Sequence, residues 1–343
     1  MLNIKSMSQL HFSQIKQERI NIFSSRKSLL FVSLVFALLV SSFSSCMLMA
    51  QGFATIPSDD VVYVRDDDSL RKAITDTAVL GGPVVIVFER NIALIGSTLT
   101  IPAGADVTLT SDIALASSAG VEFFRLFGVA GYDTITVNGG TLVIDGIIVT
   151  HVLGSSGNGV TVNSGGILTL SSGRISDNTV GDVIFSNGFG GGVFVGFDCS
   201  FVMSGGVISG NTVSGGSSSG GGVYIGGSFV MSGGVISGNT AHGSGGGVYI
   251  GRGGSFVLEN CGAISDNLAS SNYDSQGGGG VYVSGGSFVM KGGVIFDNTA
   301  HYGGGVYISY DSIMKSSFVM SGGVVSGNTA TTALTLKHLN LNI

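Results

Sequence analysis

Short apolar runs recur through the second half of the chain, each bounded by glycine or serine. The clearest copy is residues 220–241, GGGVYIGGSFVMSGGVISGNTA, which contains the runs Gly-Val-Tyr-Ile, Ser-Phe-Val-Met and Gly-Val-Ile-Ser. Runs this short between turn-forming residues are typical of strands, because helices need longer periodic segments. The pattern therefore predicts an all-β chain with three short strands in each repeat.

An asparagine marks the same point of every repeat, as in Ile236-Ser-Gly-Asn239. Length variation falls almost wholly in the stretch that follows it, such as residues 213–219 or 269–276, as expected of loops on a fixed scaffold. Each apolar run occurs once per repeat, so it can pair in parallel with its own copy in the next repeat. We therefore predict a right-handed single-stranded parallel β-helix with about three strands per coil. The six marker residues are Asn178, Asn211, Asn239, Asn267, Asn298 and Asn328.

These asparagines have a predicted structural role at the corner of each coil. Their amides can bond from coil to coil, as stacked asparagines do in cross-β structures. Asparagine also tolerates the left-handed backbone that a corner requires. We therefore expect a structural asparagine ladder along the solenoid.

Alternation along the strands predicts which side chains point outward. In Gly-Val-Tyr-Ile, inward valine and isoleucine place the central aromatic residue on the surface. This outward column is the candidate ligand-binding site, a platform for sugar rings or a partner protein. The alternative is that the rings only stack on one another and shield the strands. Its members are Phe194, Tyr224, Tyr249, Tyr282 and Tyr307.

Flanking segments complete the predicted organisation. Residues 84–156 form irregular first coils, and residues 157–332 form the glycine-rich repeat. In residues 55–83, a short helix with an Asp68 N-cap is expected to cover the open end of the solenoid. In residues 333–343, alternating leucines either add a final strand or belong to a truncated array.

Residues 1–54 have the features of an export signal. Arg26 and Lys27 precede an apolar run over residues 29–40, which matches a signal peptide. Three alternatives remain open: cleavage near Ala54, lipidation at Cys46 in a lipobox-like context, or retention of residues 29–50 as a membrane anchor. Each of them places the remainder outside the cytoplasm, and only this segment is expected to contact a membrane.

Composition narrows the classes of function. Glycine accounts for 58 of 343 residues, far above the usual figure of about 7%, yet 44% of the residues are hydrophobic, which indicates an ordered chain. The formal net charge is −6 and basic residues are scattered, so a nucleic-acid-binding role is excluded. No cofactor motif is present.

The cysteines beyond the export segment, Cys199 and Cys261, fall two coils apart at different corners. Coils stacked about 4.8 Å apart separate them beyond disulfide reach. We expect two free, partly buried thiols.

Asp266 and Asp297 occupy the same corner position on adjacent coils, which makes them a weak candidate for a cation such as calcium. Gly238 and Gly327 take that position in other repeats, so a left-handed turn residue is the favoured interpretation. The outward aromatic column contains no acid, base or metal ligand, and we predict no catalytic residues and no metal site.

The Asn-Thr-Ala corner followed by Gly-Gly-Gly-Val-Tyr resembles the polymorphic outer-membrane protein repeat of bacterial surface proteins. That repeat pairs Phe-x-x-Asn with Gly-Gly-Ala-Ile, and residues 236–239 and 245–248 stand at those positions, with Ile for Phe and Gly-Val for Ala-Ile. The resemblance covers residues 157–330. It implies a pectin-lyase-like β-helix used as an adhesin or surface passenger, although no C-terminal β-barrel pattern follows residue 330.

The expected function is therefore a non-catalytic, secreted or outer-membrane-associated surface protein. Its expected partners are surface glycans or proteins of a host or neighbouring cell. A polysaccharide lyase or hydrolase is the alternative, because such enzymes share the fold. A truncated fragment of a larger adhesin is the third interpretation.

Overall fold

The computed structural model describes residues 60–152, 154–181, 188–215, 218–271, 273, 276–309 and 315–332. All of them belong to one compact unit, residues 54–343. The predicted export segment with Cys46 and the leucine-rich tail at 333–343 lie outside the described residues. The described chain is almost entirely short strands, which form three parallel sheets, here named faces A, B and C.

Face A is the widest sheet and takes two strand segments from most coils. Its strands pair in parallel with their copies in neighbouring coils, as Phe201 does with Phe229. They are β1 (Val61–Val64), β2 (Pro83–Phe88), β3 (Ile92–Ala93), β5 (Asp106–Ser111), β6 (Arg125–Gly128), β8 (Thr141–His151), β10 (Ile167–Ser176), β13 (Ser200–Met203), β14 (Val207–Ser209), β17 (Ser228–Met231), β18 (Val235–Ser237), β21 (Ser255–Leu258), β22 (Ala263–Ser265), β25 (Ser287–Met290), β26 (Val294–Phe296), β29 (Ser317–Met320) and β30 (Val324–Ser326).

Face B has one strand per coil, and face C has one strand per coil of the repeat only. Face B contains β4 (Leu99–Pro102), β7 (Ile135–Asn138), β9 (Val160–Asn163), β12 (Val193–Val195), β16 (Val223–Ile225), β20 (Val248–Ile250), β24 (Val281–Val283) and β28 (Val306–Ile308). Face C contains β11 (Thr179–Val180), β15 (Thr212–Val213), β19 (Thr240–Ala241), β23 (Leu268–Ala269), β27 (Thr299–Ala300) and β31 (Thr329–Ala330).

Each coil of the repeat therefore has four strand segments rather than three. The added segment is the two-residue strand on face C that follows the corner asparagine. Two of the four segments lie on face A. In the earlier coils β8 and β10 are each one continuous strand, whereas in later coils a turn such as Ser-Gly-Gly separates the two segments. The predicted right-handed parallel β-helix is confirmed, and the strand count per coil is corrected.

The core is a set of stacked columns inside the coils. Val223, Val248 and Val281 lie in register and are fully buried. Phe229 and Phe256 belong to the inward phenylalanine column, whose successive ring centroids are 4.5–4.9 Å apart. A single coil buries too little apolar surface to offset its own ordering entropy, so stability depends on neighbouring coils.

The predicted N-terminal cap is present as helix α1 (Asp67–Leu80). It is longer than expected, and its N-cap is Asp66 instead of Asp68, because the Asp66 carboxylate accepts from the backbone N–H of Ser69. The helix buries Leu70 and Ile74 against the first coil. A second helix, α2 (Ile113–Ser118), is inserted between the two face A segments of an early coil and was not predicted.

The corners differ from the sequence interpretation in two respects. The left-handed residue is the one before each asparagine, with φ of 63° at Gly238, 56° at Asp266 and 53° at Asp297, which confirms the turn residue favoured for that position and shows that the asparagine is not itself the left-handed residue. Loop length also varies at a second corner, between faces B and A, where residues 226–227 in one coil correspond to 309–316 in another. Within the described residues, neither helix is long and apolar enough to cross a membrane.

Candidate functional site

The outward aromatic column forms on face B as the alternation predicted. Phe194 pairs in register with Tyr224, and the column continues through every later coil to Tyr307. Successive ring centroids are 5.1–5.2 Å apart, and the ring planes deviate from parallel by 8–11°. The rings are thus a continuous stack along the helix axis.

This stacking decides which parts of the rings are accessible. Each interior ring has a neighbour on both faces, so a sugar cannot lie flat against it. Tyr282 is only 5% exposed, and burial raises its pKa to about 12; burial likewise raises the pKa of Tyr224. The Tyr224 hydroxyl lies over Gly251, where a Cβ would be 2.7 Å from that oxygen. Only the rims of interior rings and the outer faces of the end rings are left for a ligand.

Threonines continue the same outward position on the N-terminal side of the stack. Thr136 pairs with Thr161, and Thr161 pairs with Phe194. The column therefore changes from small hydroxyl side chains to aromatic rings between β9 and β12. Phe194 is the terminal ring on that side.

Hydrogen bonds hold the carboxylate of Asp133 next to this change from threonine to aromatic side chains. Asp133 accepts a hydrogen bond from the Thr161 hydroxyl at 2.6 Å and another from the backbone N–H of Asn158 at 3.0 Å. The Asn158 amide in turn donates to the backbone carbonyls of Phe189 and Gly190, which lie just before β12. The sequence interpretation did not single out Asp133, because only the register of β7 against β9, together with that of β9 against β12, brings it near the aromatic column.

The asparagine ladder is also present. From Asn178 to Asn298, each side-chain amide donates to the carbonyl oxygen of the next asparagine at 2.9 Å. That same oxygen accepts from the backbone N–H of the preceding asparagine at 3.0–3.1 Å. Asn239 is fully buried, and its amide also bonds to the Ile208 carbonyl. All these groups are paired inside the solenoid, which makes the ladder a structural feature.

A buried histidine starts the ladder where no asparagine precedes it. The His151 Nδ1 lies 2.9 Å from the Asn178 side-chain oxygen, and its Nε2 lies 2.9 Å from the Tyr132 carbonyl. With its proton on Nδ1, the imidazole donates to Asn178 as an asparagine amide does in later coils. The sequence interpretation missed His151, because nothing but its place one coil before Asn178 indicates this contact.

Asp266 and Asp297 occupy equivalent left-handed corners, as predicted. Among the described residues, no three or more His, Cys, Asp or Glu side chains form a group that could hold a metal ion. The left-handed backbone accounts for the aspartates without a ligand. Cys199 and Cys261 are free thiols, the first buried and the second half-buried, which confirms the prediction for these residues.

Comparison with known proteins agrees with this architecture. A family model described as a right-handed β-helix region matches residues 176–338. No curated protein matches the chain at a significant level. Proteins with this fold include enzymes and non-enzymes, and the match fits a surface or polysaccharide-related protein. The chain is a right-handed parallel β-helix protein.

Proposed function

We propose that this chain is a non-catalytic, adhesin-like protein that is exported to the cell surface or secreted. The solenoid is a rigid scaffold that presents its corner loops and the outward aromatic column to surface glycans or to proteins of a neighbouring cell. Where the N-terminal segment is retained or lipidated, it alone attaches the chain to a membrane.

The observation that carries the proposal is the chemistry of the outward position on face B. From Thr100 through Thr161 to Tyr307, that position has only threonine and aromatic side chains. Cleavage of a polysaccharide requires a positioned acid and base, such as two carboxylates flanking the scissile bond. A column of hydroxyls and rings supports binding and offers no such pair.

The stacked coils of the solenoid also suit a mechanical role. In the repeat, parallel strands on three faces and the buried asparagine ladder tie each coil to the next, so a load along the axis is shared among many hydrogen bonds. Variable loops at two corners can change without altering this framework. These are the properties that a surface spacer needs.

Two measurements test the proposal together. Fractionation of the source cells with protease shaving and N-terminal sequencing is expected to find the mature chain exposed and the N-terminal segment cleaved, lipidated or retained. Incubation of the purified chain with pectin, polygalacturonate, xylan and chitin is expected to release no new reducing ends and no unsaturated products. A cytoplasmic chain, or product formation that a mutation on face B abolishes, would refute the proposal.

The contribution of the aromatic column is tested separately by adhesion. Replacing Tyr249 and Tyr282 with alanine removes two interior rings, whereas Tyr249→Phe with Tyr282→Phe keeps the stack and removes only the hydroxyls. We expect the alanine pair to weaken adhesion of intact cells to glycan-coated surfaces. Equal adhesion by all three chains would exclude the column as the binding surface.

A further inference from the structure

The N-terminal end of the aromatic stack combines a terminal ring with a fixed negative charge. Tyr224 covers one side of Phe194 at 5.2 Å, whereas the coil before it contributes only Thr161 at that position. Phe194 is partly exposed. Thr161 itself is buried, so an added planar group would lie against the part of the Phe194 ring that reaches beyond Thr161.

The carboxylate beside this ring has no cationic partner among the described residues. Both donors to Asp133, the Thr161 hydroxyl and the Asn158 backbone N–H, are uncharged, and none of the ion pairs in the described chain involves Asp133. Between residues 126 and 251 the sequence contains one lysine or arginine, Arg174, and it lies on β10 of face A. Each oxygen of Asp133 accepts one hydrogen bond and retains a lone pair for a ligand.

A terminal π-face next to an unneutralised carboxylate selects for a cation. The face of an aromatic ring attracts positive charge, and arginine is the side chain that most often uses it. A guanidinium is planar, stacks on rings and presents a fork of N–H donors that fits a carboxylate. A neutral sugar would use the ring face but would leave the charge of Asp133 unmatched.

We propose that Phe194, Asp133 and Thr161 form a binding site for an arginine side chain of a partner protein. This inference rests on the proposed surface function and specifies the partner. The guanidinium stacks on Phe194 as the next member of the column and donates to the outer lone pairs of Asp133. The Thr161 and Asn158 hydrogen bonds hold the carboxylate in place before binding, which lowers the entropic cost of association.

The test uses the full chain and three small probes. N-acetyl-arginine-N-methylamide is titrated while the methyl resonances of Thr136 and Thr161 are followed by NMR. The matched citrulline derivative keeps the planar shape without the charge, and the lysine derivative keeps the charge without the plane. We expect the arginine probe to shift the Thr161 methyl, the lysine probe to bind more weakly, and the citrulline probe to have no effect. High salt is expected to weaken arginine binding, because both partners are charged.

Variants separate the two components of the site. We expect Asp133→Asn to reduce arginine affinity about fivefold and Phe194→Leu to reduce it about two- to fivefold. Tyr273→Leu, an exposed aromatic residue outside the column, is the matched control and should leave the affinity unchanged. Melting curves of each variant verify that the chain remains folded.

Three outcomes would overturn the inference: equal shifts with the citrulline probe, full arginine affinity in Asp133→Asn, or shifts of the same methyls by uncharged cellohexaose and not by arginine. The last would assign the site to a sugar. A surface-exposed, adhesive chain without an arginine response refutes this inference alone. A cytoplasmic chain refutes the proposed function, whatever the titration gives.

Discussion

The first coils and the glycine-rich repeat are two versions of one solenoid. In both, alternating aliphatic residues such as Val107 and Leu109 in β5 or Val223 and Ile225 in β16 fill the interior. Only the repeat adds stacked phenylalanines, stacked tyrosines and the asparagine ladder. In the early coils, helix α2 is instead inserted between β5 and β6, two strand segments of face A. Inward apolar alternation is therefore sufficient for the fold, whereas like-on-like stacking is an additional source of cohesion in the repeat.

The largest expected effect is in the asparagine ladder. Asn239→Ala removes the acceptor for two buried donors, the backbone N–H and the side-chain amide of Asn211. Leaving both unsatisfied should lower the free energy of unfolding by about 2–5 kcal/mol. Asn328→Ala is the control, because water can reach this half-buried end of the ladder, and about 1 kcal/mol is expected there. Denaturant unfolding measures both, and equal losses would show that burial of the ladder is unimportant.

An intermediate effect is expected where the two regions meet. His151→Ala removes the donor to Asn178 and the contact with the Tyr132 carbonyl, so we expect a loss of about 1–3 kcal/mol. Hydrogen exchange should accelerate most in β8 and β10, on either side of the junction. Exposed His242→Ala should change stability by less than about 0.5 kcal/mol. Unchanged exchange in the His151 variant would mean that the ladder needs no initial donor.

The smallest expected effect is a pH dependence confined to the repeat. Burial raises the pKa of Tyr282 from 10.0 to about 12, so its neutral form is favoured in the folded chain. A folded pKa above the unfolded value contributes stability below pH 10, and that stability is lost as pH rises from about 10 to about 12. Alkaline difference absorbance should show a late tyrosine transition that Tyr282→Phe removes. A phenolate transition for Tyr282 near pH 10 would indicate an exposed ring.

Much of the candidate site could be predicted from the repeat itself. Because each run repeats once per coil, the register of Tyr249 against Tyr224 and Tyr282 follows from counting. The alternation of the strand also places these rings outward. The orientation of the rings could not be predicted: the stacking that covers their faces depends on side-chain torsions shared by successive coils. Asp133 and His151 were missed for a related reason, because irregular coils have no copy to align with.

The sequence by itself determined the solenoid, the parallel register, the inward columns and the ladder, because these depend on periodicity and alternation alone. Tertiary structure decided the N-cap at Asp66 and the four strand segments per coil of the repeat. It also brought the carboxylate of Asp133 to the end of the aromatic stack. Such features depend on where irregular segments lie against neighbouring coils, and contacts between residues 25–31 apart in sequence set that placement rather than any local pattern.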